Sequence, residues 1–113
     1  MECPIALAQN LIGGKWKIAI LWLLGQKTSR FTELKKQITG ITQKMLTQQL
    51  RELEESKLVH RKVYPVVPPK VEYSLTDIGR ELFPVFEQMC IWGKHYKEAA
   101  GLEDIESQCK VPY

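Results

Sequence analysis

The run IAILWLL at residues 18–24 constrains this chain more than any other stretch. It lies in KWKIAILWLLG (15–25), after Gly13-Gly14 and before Gly25. As a helix it is apolar on nearly every side, so the rest of the fold must wrap around it. It is also the longest apolar run, well short of the roughly 18–20 residues that span a bilayer. It therefore predicts a central core helix that stops at Gly25. The N-terminal MECPIALAQN has no basic segment ahead of its apolar stretch and makes a poor signal peptide. A cytoplasmic chain with no membrane role is expected. A length of 113 residues fits one domain with one modest core.

Around that centre the periodicities change in an ordered way. PIALAQNLI (4–12) has helical spacing, with Pro4 in the first turn, where a missing N–H costs nothing. Ser29-Arg30-Phe31 reads as short and extended. Thr32 reads as the N-cap of TELKKQI (32–38), with Leu34 and Ile38 one turn apart. Gly40 breaks that helix. Thr42 can cap the next one, which runs to about Ser56 with Met45, Leu46, Leu50 and Leu53 as its buried stripe, and Ile41 can staple onto Leu46. KLVHRKVY (57–64) and VEYSL (71–75) are rich in β-branched and aromatic residues, and the prolines of PVVPPK between them make a stiff hairpin loop. Thr76 caps a last helix with Ile78, Leu82, Val85, Phe86, Met89 and Tyr96 facing the core, and Pro84 should bend it or cost it a bond to the Arg80 carbonyl. The chain is polar from Gly101 onward.

Two short helices joined by a glycine-containing turn fit a helix-turn-helix, and a hairpin directly after them makes a wing. The expected fold is mainly α with a small β-hairpin, a winged helix-turn-helix over residues 1–100, followed by a polar C-terminal tail over 101–113.

Charge is uneven along this order. The net is only +3, but residues 27–70 carry ten cations against four acids, a net of +6, whereas residues 71–113 carry four cations against eight acids, a net of −4. A basic middle points to one face that meets a polyanion. On the helix that begins at Thr42, the leucines share one side, while Lys44, Thr47, Gln48 and Arg51 share another, with Gln43 one turn before Thr47. Gln can pair with adenine, Lys or Arg with guanine, and a Thr methyl can touch a thymine methyl. Glu52, Glu54 and Glu55 cluster at the far end, as they would on a helix that enters the major groove N-terminus first. Taken alone, such a face is more often what a solvated amphipathic helix carries; the helix-turn-helix order, the hairpin and the basic middle favour double-stranded DNA. On the hairpin, Lys62 and Lys70 are the preferred phosphate contacts.

Three cysteines, Cys3, Cys90 and Cys109, are too few for a disulfide scaffold, and no metal-ligand spacing occurs. Cys3 precedes Pro4 and falls at a helix N-terminus, whose unpaired amides favour a reactive thiolate. It is the candidate redox sensor. Cys90 reads as buried and inert. Cys109 lies in the tail and could pair with Cys3 of the partner subunit. No phosphate loop, catalytic relay, metal set or cofactor site is visible, so no enzyme activity and no cofactor are expected.

The stretches CP (3–4), GGKWK (13–17), RFTELKK (30–36), GITQKMLTQQLRELE (40–54), LVHRKVYPVVPPKVEYSLTDIGREL (58–82) and Trp92 are similar in order and kind to the HxlR family of bacterial winged helix-turn-helix regulators. The resemblance covers about residues 3–96. It implies a homodimer joined through the first and last helices, with two recognition helices offered to a pseudo-palindromic operator and a repressor as the usual outcome. The DNA contacts expected from the helix face and the hairpin, Thr42, Gln43, Lys44, Thr47, Gln48, Arg51, Lys62 and Lys70, all lie within the matching stretches. It also implies that Cys3 stands where some members carry a cysteine that responds to quinones, other electrophiles or oxidants. The second cysteine that some members use has no clear counterpart. Two alternatives stay open: the same fold sensing a small ligand at the dimer interface, and a winged-helix module that binds protein.

Overall fold

The computed structural model describes residues 3–102. Its elements follow the expected order: α1 (Pro4–Ile12), α2 (Lys17–Gln26), α3 (Phe31–Gln37), α4 (Gln43–Glu55), β1 (Val59–Tyr64), β2 (Lys70–Leu75), α5 (Asp77–Arg80) and α6 (Leu82–Ala100). The strands form one antiparallel hairpin in which Val59 faces Leu75, Lys62 faces Glu72 and Tyr64 faces Lys70. Ser29 adds a single bridge to Tyr73 on the hairpin's other edge, with Ser29 N–H donating to Tyr73 O at 3.0 Å and Tyr73 N–H returning to Ser29 O at 2.8 Å. That bridge is the whole of the short extended segment foreseen at residues 29–31. The molecule is a winged helix-turn-helix.

The apolar run forms the centre. Ala19, Ile20, Leu21 and Leu24 of α2 are buried, and Leu34, Ile38, Ile41, Leu46, Leu50, Leu53, Leu58, Val59, Tyr73, Leu75 and Phe86 close around them. α4 contributes Leu46, Leu50 and Leu53. These positions lie one turn apart, so a single face of α4 is driven inward and the opposite face outward. Thr42 caps α4 by accepting from Met45 N–H at 3.1 Å, and Ile41 before it is buried. Gly40 occupies a left-handed turn at φ 89°, which only glycine adopts without strain.

Four local expectations need correcting. Thr32 does not cap α3. The helix begins at Phe31 with Arg30 at the N-cap, because the Glu33 carboxylate accepts from Arg30 N–H at 2.9 Å and, on its other oxygen, from the Lys27 ammonium at 2.8 Å. Gly25 is not a stop. α2 continues through it to Gln26, and the missing side chain leaves room for Phe83, since a Cβ on Gly25 would lie 2.1 Å from that ring. Phe83 stacks on Trp22 at a centroid distance of 4.6 Å, tying α6 to α2. The last helix does not bend at Pro84 but divides before it, into α5 and α6, with Glu81 between. Placed in the first turn of α6, Pro84 has no backbone N–H to waste and no preceding turn to clash with.

Burial along the last helix also departs from its periodicity. Of the residues taken as the inward stripe of the last helix, Phe86 is buried and Leu82 packs partly, but Ile78, Val85, Met89 and Tyr96 are exposed. α1 buries no residue. α1 and α6 thus carry apolar side chains away from the core. The Cα radius of gyration is 15.4 Å, above the about 13 Å of a globule this long. α6 ends at Ala100 with Gly101 in a left-handed cap, and the polar tail beyond residue 102 lies outside the described residues.

The base of the wing is fastened by Thr76. Its hydroxyl accepts from Gly79 N–H at 3.1 Å and donates to Lys57 O at 2.7 Å, while its own N–H donates to Leu58 O at 3.1 Å. Gly79 rests on that same Leu58 carbonyl, where a Cβ would approach to 2.3 Å. Gly79→Ala is expected to lower stability by about 1–3 kcal/mol, and Leu50→Ala by about 2–5 kcal/mol, each measured by urea denaturation. An unchanged midpoint for Gly79→Ala would remove the tight contact from the account.

Candidate nucleic-acid interface

α4 turns its non-leucine side to solvent. Gln43, Lys44, Thr47, Gln48 and Arg51 together line one open concavity, and each is exposed or half-exposed. These are the residues that the sequence placed on one helical face, and the structure brings all five together. Thr42 sits at the exposed N-cap of the same helix. Among the described residues neither Lys44 nor Arg51 takes part in an ion pair, so their charges are available to a polyanion.

Each side chain on this face has a distinct constraint. The Thr47 hydroxyl donates to Gln43 O at 2.8 Å, so it is occupied by its own helix and leaves its methyl as the group to present. Gln48 Nε2 donates to Glu52 at 3.3 Å. Glu52 in turn accepts from the Lys17 ammonium of α2 at 2.7 Å, and the Lys17 side chain is only 14% exposed. Glu52 was expected among acids clustered at the far end of the helix. It instead joins α4 to the central helix. Its i, i+4 relation to Gln48 was legible in the sequence; the link to Lys17, 35 residues away, was not.

The wing places Lys62 and Lys70 on one face, with Arg61 on the other. Register puts Lys62, Tyr64, Lys70 and Glu72 together, and both ammonium groups lie 4.9 Å from the centre of the Tyr64 ring. The two lysines are not equivalent. Lys70 is 3.4 Å from the Glu72 carboxylate and partly neutralised, whereas Lys62 has no ion pair among the described residues. A hydrogen bond from Tyr64, with Lys70 adding to it, holds the Glu72 carboxyl below the usual carboxylate range. The loop beyond them exposes Val66 and, completely, Val67.

Cys3 is the N-cap of α1, is exposed and is a free thiol. Cys90 differs from expectation, being half-buried and disulfide-bonded rather than an inert buried thiol. Cys109 lies outside the described residues. Among those residues no cluster of His, Cys, Asp and Glu could hold a metal, and no helix is long and apolar enough to cross a membrane.

A capped helix with an exposed polar face, preceded by a short helix and followed by a basic hairpin, defines the winged helix-turn-helix class of regulators. The HxlR-like helix-turn-helix model matches residues 11–100, and the chain belongs to that family. It is 51% identical over 97 residues to the HTH-type transcriptional regulator YkvN of Bacillus subtilis, covering 86% of this chain and 82% of YkvN. Among solved structures it is similar to the redox regulator HypR in its reduced form, with a TM-score of 0.82, 45% identity, and coverage of 88% of this chain and 98% of the other. It is also similar to the reduced form of the transcriptional regulator YodB from B. subtilis, with a TM-score of 0.77, 39% identity, and coverage of 88% and 98%. The chain is a helix-turn-helix transcriptional regulator, a class whose members bind DNA.

The Lys17 hydrogen bond, with a smaller part from Gln48, holds the Glu52 carboxyl below the usual carboxylate range. A folded-state pKa below the unfolded one adds stability above the carboxylate range, and that stability is lost as pH falls through the folded value. In an NMR titration Glu52 is expected to protonate below an ordinary glutamate, and Lys17→Met to move it back. Titration at the ordinary position in both proteins would contradict the pairing.

Proposed function

We propose that the protein is a repressor that binds a pseudo-palindromic operator as a homodimer and answers oxidants or electrophiles through Cys3. The observation that carries the DNA reading is the convergence of Gln43, Lys44, Thr47, Gln48 and Arg51 on one open, solvent-facing concavity of α4. Apolar and acidic side chains are absent from that lining. In this reading α4 enters the major groove with its Thr42 end foremost. Lys44 and Arg51 bind phosphate or guanine, Gln43 and Gln48 read base edges, and the Thr47 methyl meets a thymine methyl. Lys62 takes the wing's phosphate contact, with Lys70 beside it.

Dimerisation is supported by the apolar surface at the two ends of the chain. Val85, Met89, Trp92 and Tyr96 recur at helical spacing on α6 and are all exposed, Trp92 by 67%, and Ile5 of α1 is exposed by 79%. Monomers rarely leave such a patch uncovered. A second copy covering it would set the distance between two reading helices, as a palindrome requires. Modification of Cys3, at the start of α1, would then alter that distance and weaken binding. Similarity to HypR, a redox regulator with structures in oxidised and reduced forms, supports this route.

A second reading has its own observation. Trp22, Gln26, Phe83, Glu87, Cys90, Ile91 and Lys94 line an open groove between α2 and α6 where a small ligand could sit. Cys3→Ser separates the two. Loss of response to quinone or diamide supports the thiol, and an intact response supports the groove.

DNA binding is tested by mobility shift against the protein's own upstream region over a range of salt. Affinity is expected to fall steeply with salt, because several phosphates are neutralised. Lys44→Ala and Arg51→Ala should each weaken binding, and Gln48→Ala should cost about 1–3 kcal/mol at particular base pairs. Binding that ignores salt would contradict the proposal. Trp92→Glu is expected to yield monomers in sedimentation, and an unchanged dimer would move the interface elsewhere.

A further inference from the structure

Glu52 lies one turn beyond Gln48, the amide that the proposed function assigns to base reading. An exposed glutamine has several rotamers and two faces of its amide to offer, and ordering it costs entropy. Here the amide is not left to choose. Glu52 is ionised, with its acid form disfavoured, and a carboxylate only accepts hydrogen bonds. The group facing it must therefore be Nε2 of Gln48, as found at 3.3 Å. The carboxylate itself is held from the other side by Lys17 of α2, at 2.7 Å, whose side chain is largely buried. The chain Lys17–Glu52–Gln48 thus runs from the central helix to the exposed face.

We infer that Lys17 and Glu52 are positioning residues that set base specificity by holding Gln48 in one orientation. This rests on the reading of α4 as the DNA-contacting helix. With one N–H given to Glu52, Gln48 retains one N–H donor and its carbonyl acceptor. That is the donor–acceptor pair that adenine's N7 and N6 amino group require. The preferred base at this position is adenine, and the preference comes from pre-orientation rather than from a new contact. Glu52 brings a second consequence. A carboxylate near a phosphate backbone repels it, and the Lys17 ammonium offsets that repulsion. Removing Lys17 or removing Glu52 should therefore loosen Gln48 alike, yet shift overall affinity in opposite directions.

The test uses a duplex selected by the wild-type protein from a randomised library, together with the same duplex altered at single base pairs. Gln48→Ala first locates the base pair at which discrimination depends on that amide. Glu52→Ala is expected to lower discrimination at that pair by about tenfold, within the range that one bidentate contact supplies. It should leave binding to non-selected DNA equal or stronger. Lys17→Met should lose the same discrimination and weaken binding to all duplexes, and Lys17→Arg should restore both. In the Gln48→Ala background neither substitution should change discrimination further, because the residues act as one unit. Full discrimination in folded Glu52→Ala, or losses that simply add to those of Gln48→Ala, would overturn the inference and leave the DNA reading intact. Failure of the wild-type protein to select any sequence would overturn both.

Discussion

The fold depends on the burial of one face of α4. Leu46, Leu50 and Leu53 are among the least exposed side chains of the molecule, and they lie one turn apart. Each contributes on the order of 2 kcal/mol of apolar burial relative to exposure. A rotation of the helix by a fraction of a turn would forfeit most of that. The leucines therefore fix the rotational setting of α4, and with it the direction in which Gln43, Lys44, Thr47, Gln48 and Arg51 face. The outward surface is defined by the inward one, and its polar side chains need contribute nothing to the packing.

That setting is reinforced at both ends. At the start, the Thr42 cap and buried Ile41 fix where the helix begins. Toward its end, the Lys17–Glu52 pair ties the helix to α2, and the chain then turns into the wing through Lys57, a non-glycine residue at φ 65°. The wing is held at its base by Thr76 and Gly79 against Leu58. Reading helix and wing thus share one rigid frame, and Trp22 stacked on Phe83 carries that frame into α6. A change at α6 therefore has a packed route through α2 to α4.

Much of this was legible in the sequence, because it rests on local rules. The period of the leucines, the capping threonine, the glycine in the turn and the prolines of the hairpin each act within a few residues. The five-residue polar face of α4 followed from period alone, and the family resemblance pointed to the same helix. What escaped was long-range or involved competition. Thr32 lost the N-cap to Arg30 because Glu33 satisfies the backbone one turn earlier with help from Lys27. Gly25 looked like a stop but serves as a docking notch for Phe83, 58 positions later in the chain by its number. The stripe of α6 has a core period, yet Phe86 is its one fully buried member, because periodicity does not tell a core face from an exposed apolar one. Glu52 seemed to be one acid among three, and only its approach to Lys17 distinguishes it.

The central claim is that the polar face of α4 and the lysines of the wing meet DNA. The most direct measurement follows backbone and side-chain amide resonances of the labelled protein as its selected duplex is added at moderate salt. The account predicts that the largest shifts fall on Thr42–Arg51, including the Gln48 side-chain amide, and on the wing around Lys62 and Lys70, with α1 and the far end of α6 little changed. Shifts concentrated on α1 and α6, with α4 unmoved, would contradict it.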